Sequence, residues 1–316
     1  MSGISCQEAV NVLNISTLPE LLQLFSKTSS TREKFYGTKV ATCAIINARS
    51  GNCPENCAFC SQSSRSNAEI IKFPLVSAEE MFSQAQQAEE YGAHRYGIVT
   101  SGRAVNMSKE LDEICRAVSM IKEQLNIKVC ASLGILNKES LQQLKNAGLD
   151  RYHHNLEASK SYFPEICTTR KFEDQLQTIS FAKEAGLSLC VGGIFGLGES
   201  KEQRIEMLDN IRELHIESVP INFLTPIKGT LLEKNNELSA LDCLKIIAAA
   251  KLMMPEVSIR ICGGREYNLG EMQSLVFAAG AEAIMIGSYL TTSGRNTQTD
   301  LKMIKDAGLI HEPISK

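Results

Sequence analysis

The sequence carries few marks of a membrane anchor, a nucleic-acid clamp or a chain of separate modules. No run of about 18 apolar residues occurs, which argues against a membrane-spanning helix. No long basic block is present and the net charge is -3, so the electrostatic footprint of a nucleic-acid binder is missing. The first residues, Met-Ser-Gly-Ile-Ser-Cys-Gln-Glu, lack both the cationic start and the apolar core of a secretory signal, and a cytoplasmic location is expected. No Gly- or Pro-rich linker divides the 316 residues. Against these absences stand 11 cysteines, a large number without an export signal. In a reducing compartment they point to metal or catalysis rather than to disulfides.

The rest of the composition, 43% hydrophobic and 22% charged, is ordinary for a globular chain. Residues 7–28 read as a helix with an apolar stripe of Val10, Leu13, Leu18, Leu21, Leu22 and Phe25. From residue 39 onward short β-rich runs alternate with helical patterns. Strands are predicted at 39–46, 95–100, 127–133, 151–156, 187–194, 219–224, 257–263 and 283–286. Helices fall between them at 77–91, 109–125, 139–147, 172–185, 201–214, 240–253 and 269–279. Ser77 and Glu80 form a capping-box signature, and Gly92, Gly148, Gly186 and Gly280 stand where a left-handed helix end needs glycine. Eight such repeats predict an α/β fold, a (βα)8 TIM-type barrel, as one domain. Residues 1–36 would be an N-terminal helical extension, 37–292 the barrel and 293–316 a C-terminal tail. A doubly wound open sheet is the alternative fold.

Cys53-Pro-Glu-Asn-Cys57-Ala-Phe-Cys60 is the densest chemical signal. Three thiolates so spaced can hold three corners of an iron–sulfur cube and leave the fourth iron open to another ligand. Zinc is the rival, but it normally takes two ligand pairs, and no second Cys-x-x-Cys or His-x-x-x-His occurs. A second set appears only when strands are numbered. Cys43, Cys130, Cys190 and Cys262 lie on predicted strands one, three, five and seven. Alternate strands of such a barrel share interior layers, so the four could converge on the axis as a tetrathiolate cage. The alternative is four small buried hydrophobes. Arg260 lies two residues before Cys262 and shares its face, as a neighbour or counter-charge. Cys6, Cys115, Cys167 and Cys243 read as packing or surface residues.

Gly192-Gly-Ile-Phe-Gly-Leu-Gly-Glu199 follows the fifth strand, where glycines let backbone approach a ligand at the barrel mouth. Asn155 and Glu157 close the fourth predicted strand and Asn222 lies on the sixth; both asparagines read as buried amides that fix backbone or as donors to a polar ring. His153 and His154 read as pocket or core histidines rather than metal ligands. Thr291 and Thr292 follow strand eight, as loop caps or anion contacts.

Together these residues resemble a known family. Cys53-x3-Cys57-x2-Cys60 is similar to the signature of radical S-adenosylmethionine (SAM) enzymes, and the longer string resembles the biotin synthases. The similar segments are Gly51–Ser63, His154-Asn-Leu-Glu157, Thr168-Thr-Arg170, Gly192–Glu199, Ser218-Val-Pro-Ile-Asn222, Met253-Met-Pro255 and Tyr289-Leu-Thr-Thr292. The resemblance implies a [4Fe-4S] cluster on Cys53, Cys57 and Cys60 whose open iron chelates SAM. One electron, from a donor such as flavodoxin or ferredoxin, would yield a 5′-deoxyadenosyl radical. That radical would abstract hydrogen from dethiobiotin, with sulfur supplied by a second cluster deep in the barrel. By the same resemblance Asn155 and Glu157 would meet the ribose of SAM. Phe59, Thr100, Ser101, Ile194, Gly196 and Glu199 would complete its site. His153, Asn155 and Asn222 would face the ureido ring, and Thr291 and Thr292 the valeryl carboxylate. Iron–sulfur assembly proteins and a homodimer are implied likewise, with no nucleic-acid or membrane partner.

The departures from the common pattern are informative. Three cysteines and an arginine there hold a [2Fe-2S] cluster; Cys130, Cys190 and Arg260 match, but Gly97 replaces the strand-two cysteine. Cys43 and Cys262 have no counterpart in that form. The set resembles the second type of biotin synthase, found in anaerobes, in which four cysteines hold a larger four-iron auxiliary cluster with an additional sulfide. Glu157 replaces a usual aspartate, His153 a usual asparagine, and Gln175 an arginine expected for the methionine carboxylate. Relatives that mature hydrogenase or build methylornithine are the nearest alternative, and a non-catalytic iron–sulfur carrier is the alternative from another class.

Overall fold

The computed structural model describes residues 3–106 and 108–313. The predicted extension is two helices rather than one, α1 (Cys6–Asn14) and α2 (Leu18–Tyr36). The break has a local cause. Ser5 and Glu8 form a capping box that starts α1, and Thr17 with Glu20 form another that starts α2, with Pro19 inside its first turn.

The strands are β1 (Lys39–Arg49), β2 (Arg95–Thr100), β3 (Lys128–Ser132), β4 (Arg151–His153), β5 (Ser188–Cys190), β6 (Gly193–Phe195), β7 (Ser218–Phe223), β8 (Ser258–Ile261), β9 (Ala283–Met285) and β10 (Ile310–His311). The predicted strand 187–194 is thus divided into β5 and β6 around Gly192. A Cβ on Gly192 would lie 1.9 Å from the Pro220 carbonyl oxygen, so only glycine permits this approach of the two chains. The longer helices between strands are α3 (Ala78–Glu90), α4 (Lys109–Gln124), α5 (Lys138–Asn146), α7 (Phe172–Glu184), α8 (Lys201–Glu213) and α9 (Ala240–Met253), with a short α6 (Phe163–Ile166) before α7. The predicted helix 269–279 is instead α10 (Arg265–Leu269), a 3-10 turn and α11 (Leu275–Ala278). The predicted tail carries α12 (Thr297–Asp306) and β10; its residues 314–316, like 1–2 of the extension, lie outside the described residues.

Every strand pairing is parallel, in the order β1-β2-β3-β4-β5-β7-β8-β9, with β6 continuing the β5 position beside β7. Pairing of Ala41, Thr42 and Cys43 with Ala283, Ile284 and Met285 returns β9 to β1 and closes an eight-position barrel. The open-sheet alternative is therefore excluded. β10 adds to the N-terminal end of β1 through Lys39 and Val40.

Two devices tie the helical layer to the N-terminal end of the barrel. In α2, Arg32 Nε donates to the Ala281 carbonyl at 2.9 Å, and Arg32 Nη2 donates to Lys39 O at 2.8 Å. Behind it, Lys251 of α9 pairs with Glu282, both side chains fully buried. Glu282 Oε2 also accepts from Ile259 N at 2.7 Å, so this ion pair joins α9, β8 and β9. Removing one partner would leave the other charge uncompensated in the interior. Glu282→Ala should lower unfolding free energy by about 3–5 kcal/mol, read from denaturant midpoints.

On β4, Tyr152 turns outward beneath the helices, where its hydroxyl donates to Gly134 O at 2.6 Å. His154 follows on the same side, with Nε2 3.2 Å from Gln175 Oε1 of α7. Burial first, then Arg170, pushes the His154 imidazole down to about 3 from 6.5. The unfolded chain takes up this proton near 6.5, while the folded chain refuses it until far lower pH. Its contribution is complete above pH 6.5 and is lost as pH falls towards 3. Thermal unfolding should thus show about 2 kcal/mol of stability lost from this residue between pH 7 and pH 5, a slope that His154→Gln flattens.

Candidate functional site

Alternation along the strands decides what faces the axis. From β1 come Cys43 and Ile45, from β2 Arg95, Gly97 and Val99, from β3 Cys130 and Ser132, and from β4 onward His153, Asn155 and Glu157. Cys190, Ile194, Pro220, Asn222, Arg260 and Cys262 continue the ring. These residues line one cavity of about 410 Å³, open towards the loops that follow the strands. Cys53, Cys57 and Cys60 line it too, at its mouth.

The cysteine loop is held by its own backbone and by three neighbouring segments. Cys53 N donates to Gln62 O (3.1 Å), Ser64 N to Cys53 O (2.7 Å) and Cys60 N to Cys57 O (3.0 Å). Asn52 and Gly51 both take the left-handed conformation, with φ of 55° and 78°. Ser101 Oγ donates to Gly51 O at 2.7 Å, which anchors the start of the loop to the end of β2. Ala58 N donates to Ile166 O at 2.9 Å, and the Asn56 side chain accepts from Thr168 N at 3.0 Å. Glu55, buried, pairs with Arg103 Nη1 at 2.9 Å. Arg170 Nη2 donates to Cys57 Sγ at 3.5 Å. Burial pushes the Cys60 thiol up to about 11; for Cys57 a hydrogen bond with Cys167 and then burial act in the same direction.

The four strand cysteines are all buried and all face the cavity. The hydrogen bond with Cys262, and after it the Arg260 charge, outweigh burial and hold the Cys43 thiol below its ordinary range, at about 5. Burial raises Cys190, but hydrogen bonding to His153 and the charges of Arg151 and Arg260 outweigh it and bring it down to about 7. Cys130, with burial and the Cys190 charge against it, goes up to about 12. Arg260 is itself raised: burial alone would lower it, and the sulfurs of Cys43, Cys190 and Cys262 more than compensate. Nη1 of Arg95 and Nη1 of Arg260 are buried with no hydrogen-bond partner among the described residues. Four thiols facing two guanidinium groups with spare donors form a chamber suited to an anionic, sulfur-ligated group. Among the described residues no three His, Cys, Asp or Glu side chains converge as they would on a single ion.

The same cavity carries a set of polar side chains. Glu157, with φ of 68°, is half-buried, its carboxyl is raised by loss of solvent, and Asn155 Nδ2 lies 3.3 Å from its Oε2. Asn155 Oδ1 accepts from Gly192 N (3.2 Å), and Asn222 bridges Gly193 O (3.1 Å) and Gly263 N (2.9 Å). Phe59, Thr100, Ser101, Ile194, Thr291 and Thr292 also line the cavity, and Thr100 Oγ1 is buried with no partner among the described residues. Ser61 Oγ stands 3.0 Å from Thr291 Oγ1 and ties the cysteine loop to the segment after β9.

Gly196 and Glu199 do not line the cavity. The Glu199 carboxylate accepts from Gly196 N (2.8 Å), Leu197 N (2.6 Å) and Arg204 Nε (2.7 Å), so it shapes the turn from behind. Gln175 lines the cavity but is engaged by His154 and by Asn155 O at 2.9 Å. Sequence reasoning missed Arg95, Arg170 and Cys167. Arg95 shares the inward parity of Gly97 and could have been found from it. Cys167 and Arg170 flank Thr168-Thr169, and only tertiary folding brings them to Cys57.

Family models match in the same two stretches. The Radical SAM superfamily covers residues 48–211, and the Biotin and Thiamin Synthesis associated domain covers 220–310. The chain is 47% identical over 306 residues to the biotin synthase of Geobacter metallireducens, spanning 97% of this chain and 93% of that protein. It is 48% identical to the biotin synthase of Geobacter sulfurreducens, over 90% of this chain and 87% of that one. Among solved structures, methylornithine synthase superposes with a TM-score of 0.86 at 20% identity, covering 98% of this chain and 95% of that one. The FeFe-hydrogenase maturase of Carboxydothermus hydrogenoformans does so with 0.83 at 19%, covering 98% and 76%. Those two share the fold. The sequence relatives, aligned through both cysteine sets, show that the chain belongs to the biotin synthase family of radical SAM enzymes.

Proposed function

We propose that this chain converts dethiobiotin to biotin, inserting sulfur between two carbons activated by hydrogen abstraction. The observation that carries the reading is that one cavity is lined by two thiol sets, one on the loop after β1 and one on or beside the strands, together with polar side chains. Cys53, Cys57 and Cys60 would hold the [4Fe-4S] cluster, and Cys43, Cys130, Cys190 and Cys262 an auxiliary four-iron cluster, favoured over a [2Fe-2S] centre. When bound, the first cluster and SAM supply the 5′-deoxyadenosyl radical, and the second supplies sulfide.

The protein's own part is placement and exclusion of water. Asn155 and Glu157 would bind the ribose hydroxyls, with Phe59 and Ile194 against adenine and Thr100 and Ser101 beside them. Gly196 and Glu199 support that wall through their turn rather than by contact. His153, Asn155 and Asn222 would receive the ureido group, and Thr291 and Thr292 the carboxylate. Asn222 is already rigid through its two backbone bonds, which lowers the entropy lost on binding. Arg95 and Arg260 would balance the charge of the deep thiolates. The resemblance supports a cytoplasmic homodimer of one-domain chains that draws electrons from a flavodoxin- or ferredoxin-type donor and iron from assembly proteins.

An anaerobic assay of deoxyadenosine release from SAM, with a reductant and with or without dethiobiotin, tests the activity. Stimulation by dethiobiotin with biotin as product is expected. Cleavage indifferent to dethiobiotin would assign another substrate, and no cleavage would leave an iron–sulfur carrier. Cys43→Ala and Cys262→Ala should each lose the auxiliary-cluster iron and its Mössbauer signal while Cys53–Cys57–Cys60 chemistry persists; retention of that signal refutes the four-cysteine site. Glu157→Ala should raise the Kd for SAM by roughly 10- to 100-fold, the loss of a hydrogen bond worth about 1.5–3 kcal/mol, in equilibrium binding to reconstituted protein.

A further inference from the structure

We infer that Cys57 and Cys167 form a reversible disulfide pair that closes the ligand loop when its cluster is absent. The inference rests on reading Cys57 as a cluster ligand, but the contact itself is independent of that reading. Cys167 follows α6, is 3% exposed, and its thiol donates to Asn56 Oδ1 at 3.4 Å, on the residue next to Cys57, whose thiol it adjoins. The surrounding bonds place the two residues opposite one another. On one side Ala58 N donates to Ile166 O at 2.9 Å; on the other Thr168 N donates to Asn56 Oδ1 at 3.0 Å. The loop and the segment after α6 therefore run antiparallel, with 57 facing 167 between two ties. Asn56 N donates to Thr169 Oγ1 at 3.1 Å and reinforces the outer tie. One backbone tie and one through the Asn56 side chain flank the two cysteines and hold their segments side by side, the arrangement a disulfide needs if its Cα atoms are to stand within about 7 Å.

Cys57 lines the cavity and is half-buried, whereas Cys167 is closed off, so the order of events follows from access. The Cys57 thiol opens a small-molecule disulfide such as oxidised glutathione, forms the mixed disulfide and releases one glutathione thiol. The Cys167 thiol then displaces the second glutathione, which leaves the Cys57–Cys167 bond. Two protein thiols are oxidised and one glutathione disulfide is reduced to two thiols; an added dithiol reverses both steps. While the bond persists Cys57 cannot bind iron, and it is also protected from irreversible oxidation.

The test uses the full chain, stripped of iron by anaerobic chelation, treated with oxidised glutathione, alkylated and mapped by mass spectrometry. A Cys57–Cys167 peptide should be the main intramolecular link, lost on adding dithiothreitol, and cluster-loaded chain should show a strong reduction of it. In Cys167→Ser the link is lost and Cys57 is recovered as its glutathione mixed disulfide; mapping of the unmodified chain makes the result independent of that variant's folding. Linkage of Cys57 to Cys53 or Cys60, or full alkylation of Cys167, overturns the inference. Equal linkage in loaded and stripped chain would uphold the pair and remove Cys57 from the ligand set.

Discussion

Closure of the parallel barrel is the constraint on which the rest depends. A strand has a side-chain period of two, so closing the sheet sends every second residue of each strand towards one axis. The β1–β9 pairing that seals the ring also sets where Cys43 stands relative to Met285, and through β8 relative to Cys262. A one-residue slip of β1 would turn Cys43 outward into the helical layer and put Thr42, now bonded to Gly92 O, inside. The chemistry of the chamber is thus a consequence of register. The supports at the N-terminal end, Arg32 in α2 and the Lys251–Glu282 pair, hold that register from below.

Within the chamber, charge and burial oppose one another. Removing four thiols from water favours their protonated forms, and Cys130 shows that effect with little relief. The Cys262 hydrogen bond with Arg260 behind it reverses it for Cys43, and the His153 contact does so for Cys190. The guanidinium groups in turn keep donors that no atom of the described residues satisfies, a costly arrangement for an interior built only for stability. Such residues are explained when a ligand is part of the folded state. Gly97 fits the same logic: a Cβ there would come within 3.0 Å of Ile45 Cγ2, so the β1 side chain takes the room that a strand-two cysteine would need.

Much of this is legible in the sequence. Strict alternation of strands and helices predicted the barrel, and strand numbering predicted that Cys43, Cys130, Cys190 and Cys262 share its interior, because parity along a strand is a local property. The division of strand five at Gly192 was not legible, since it depends on the Pro220 carbonyl approaching from another strand. The same holds for Glu199, which reads as a pocket residue from its glycine-rich surroundings but is drawn backwards by Arg204. Cys167 stands at the limit: it lies far from Cys57 in sequence, and its neighbours carry no periodic signal that could place it.

Likeness of fold does not choose among the chemistries this barrel can carry. Methylornithine synthase and the hydrogenase maturase superpose on nearly the whole chain at 20% and 19% identity, so the scaffold alone cannot assign sulfur insertion. What distinguishes the chain lies below the mouth, where thiols and guanidinium groups replace the apolar filling usual in an (α/β)8 interior. A barrel that needs only a radical needs only the upper cysteines. A second thiol set makes sense when the cavity must present something to a substrate, and Asn155, His153 and Asn222 line that same cavity. The proposed sulfur insertion therefore turns on Cys130 and Cys190 more than on the loop at the mouth.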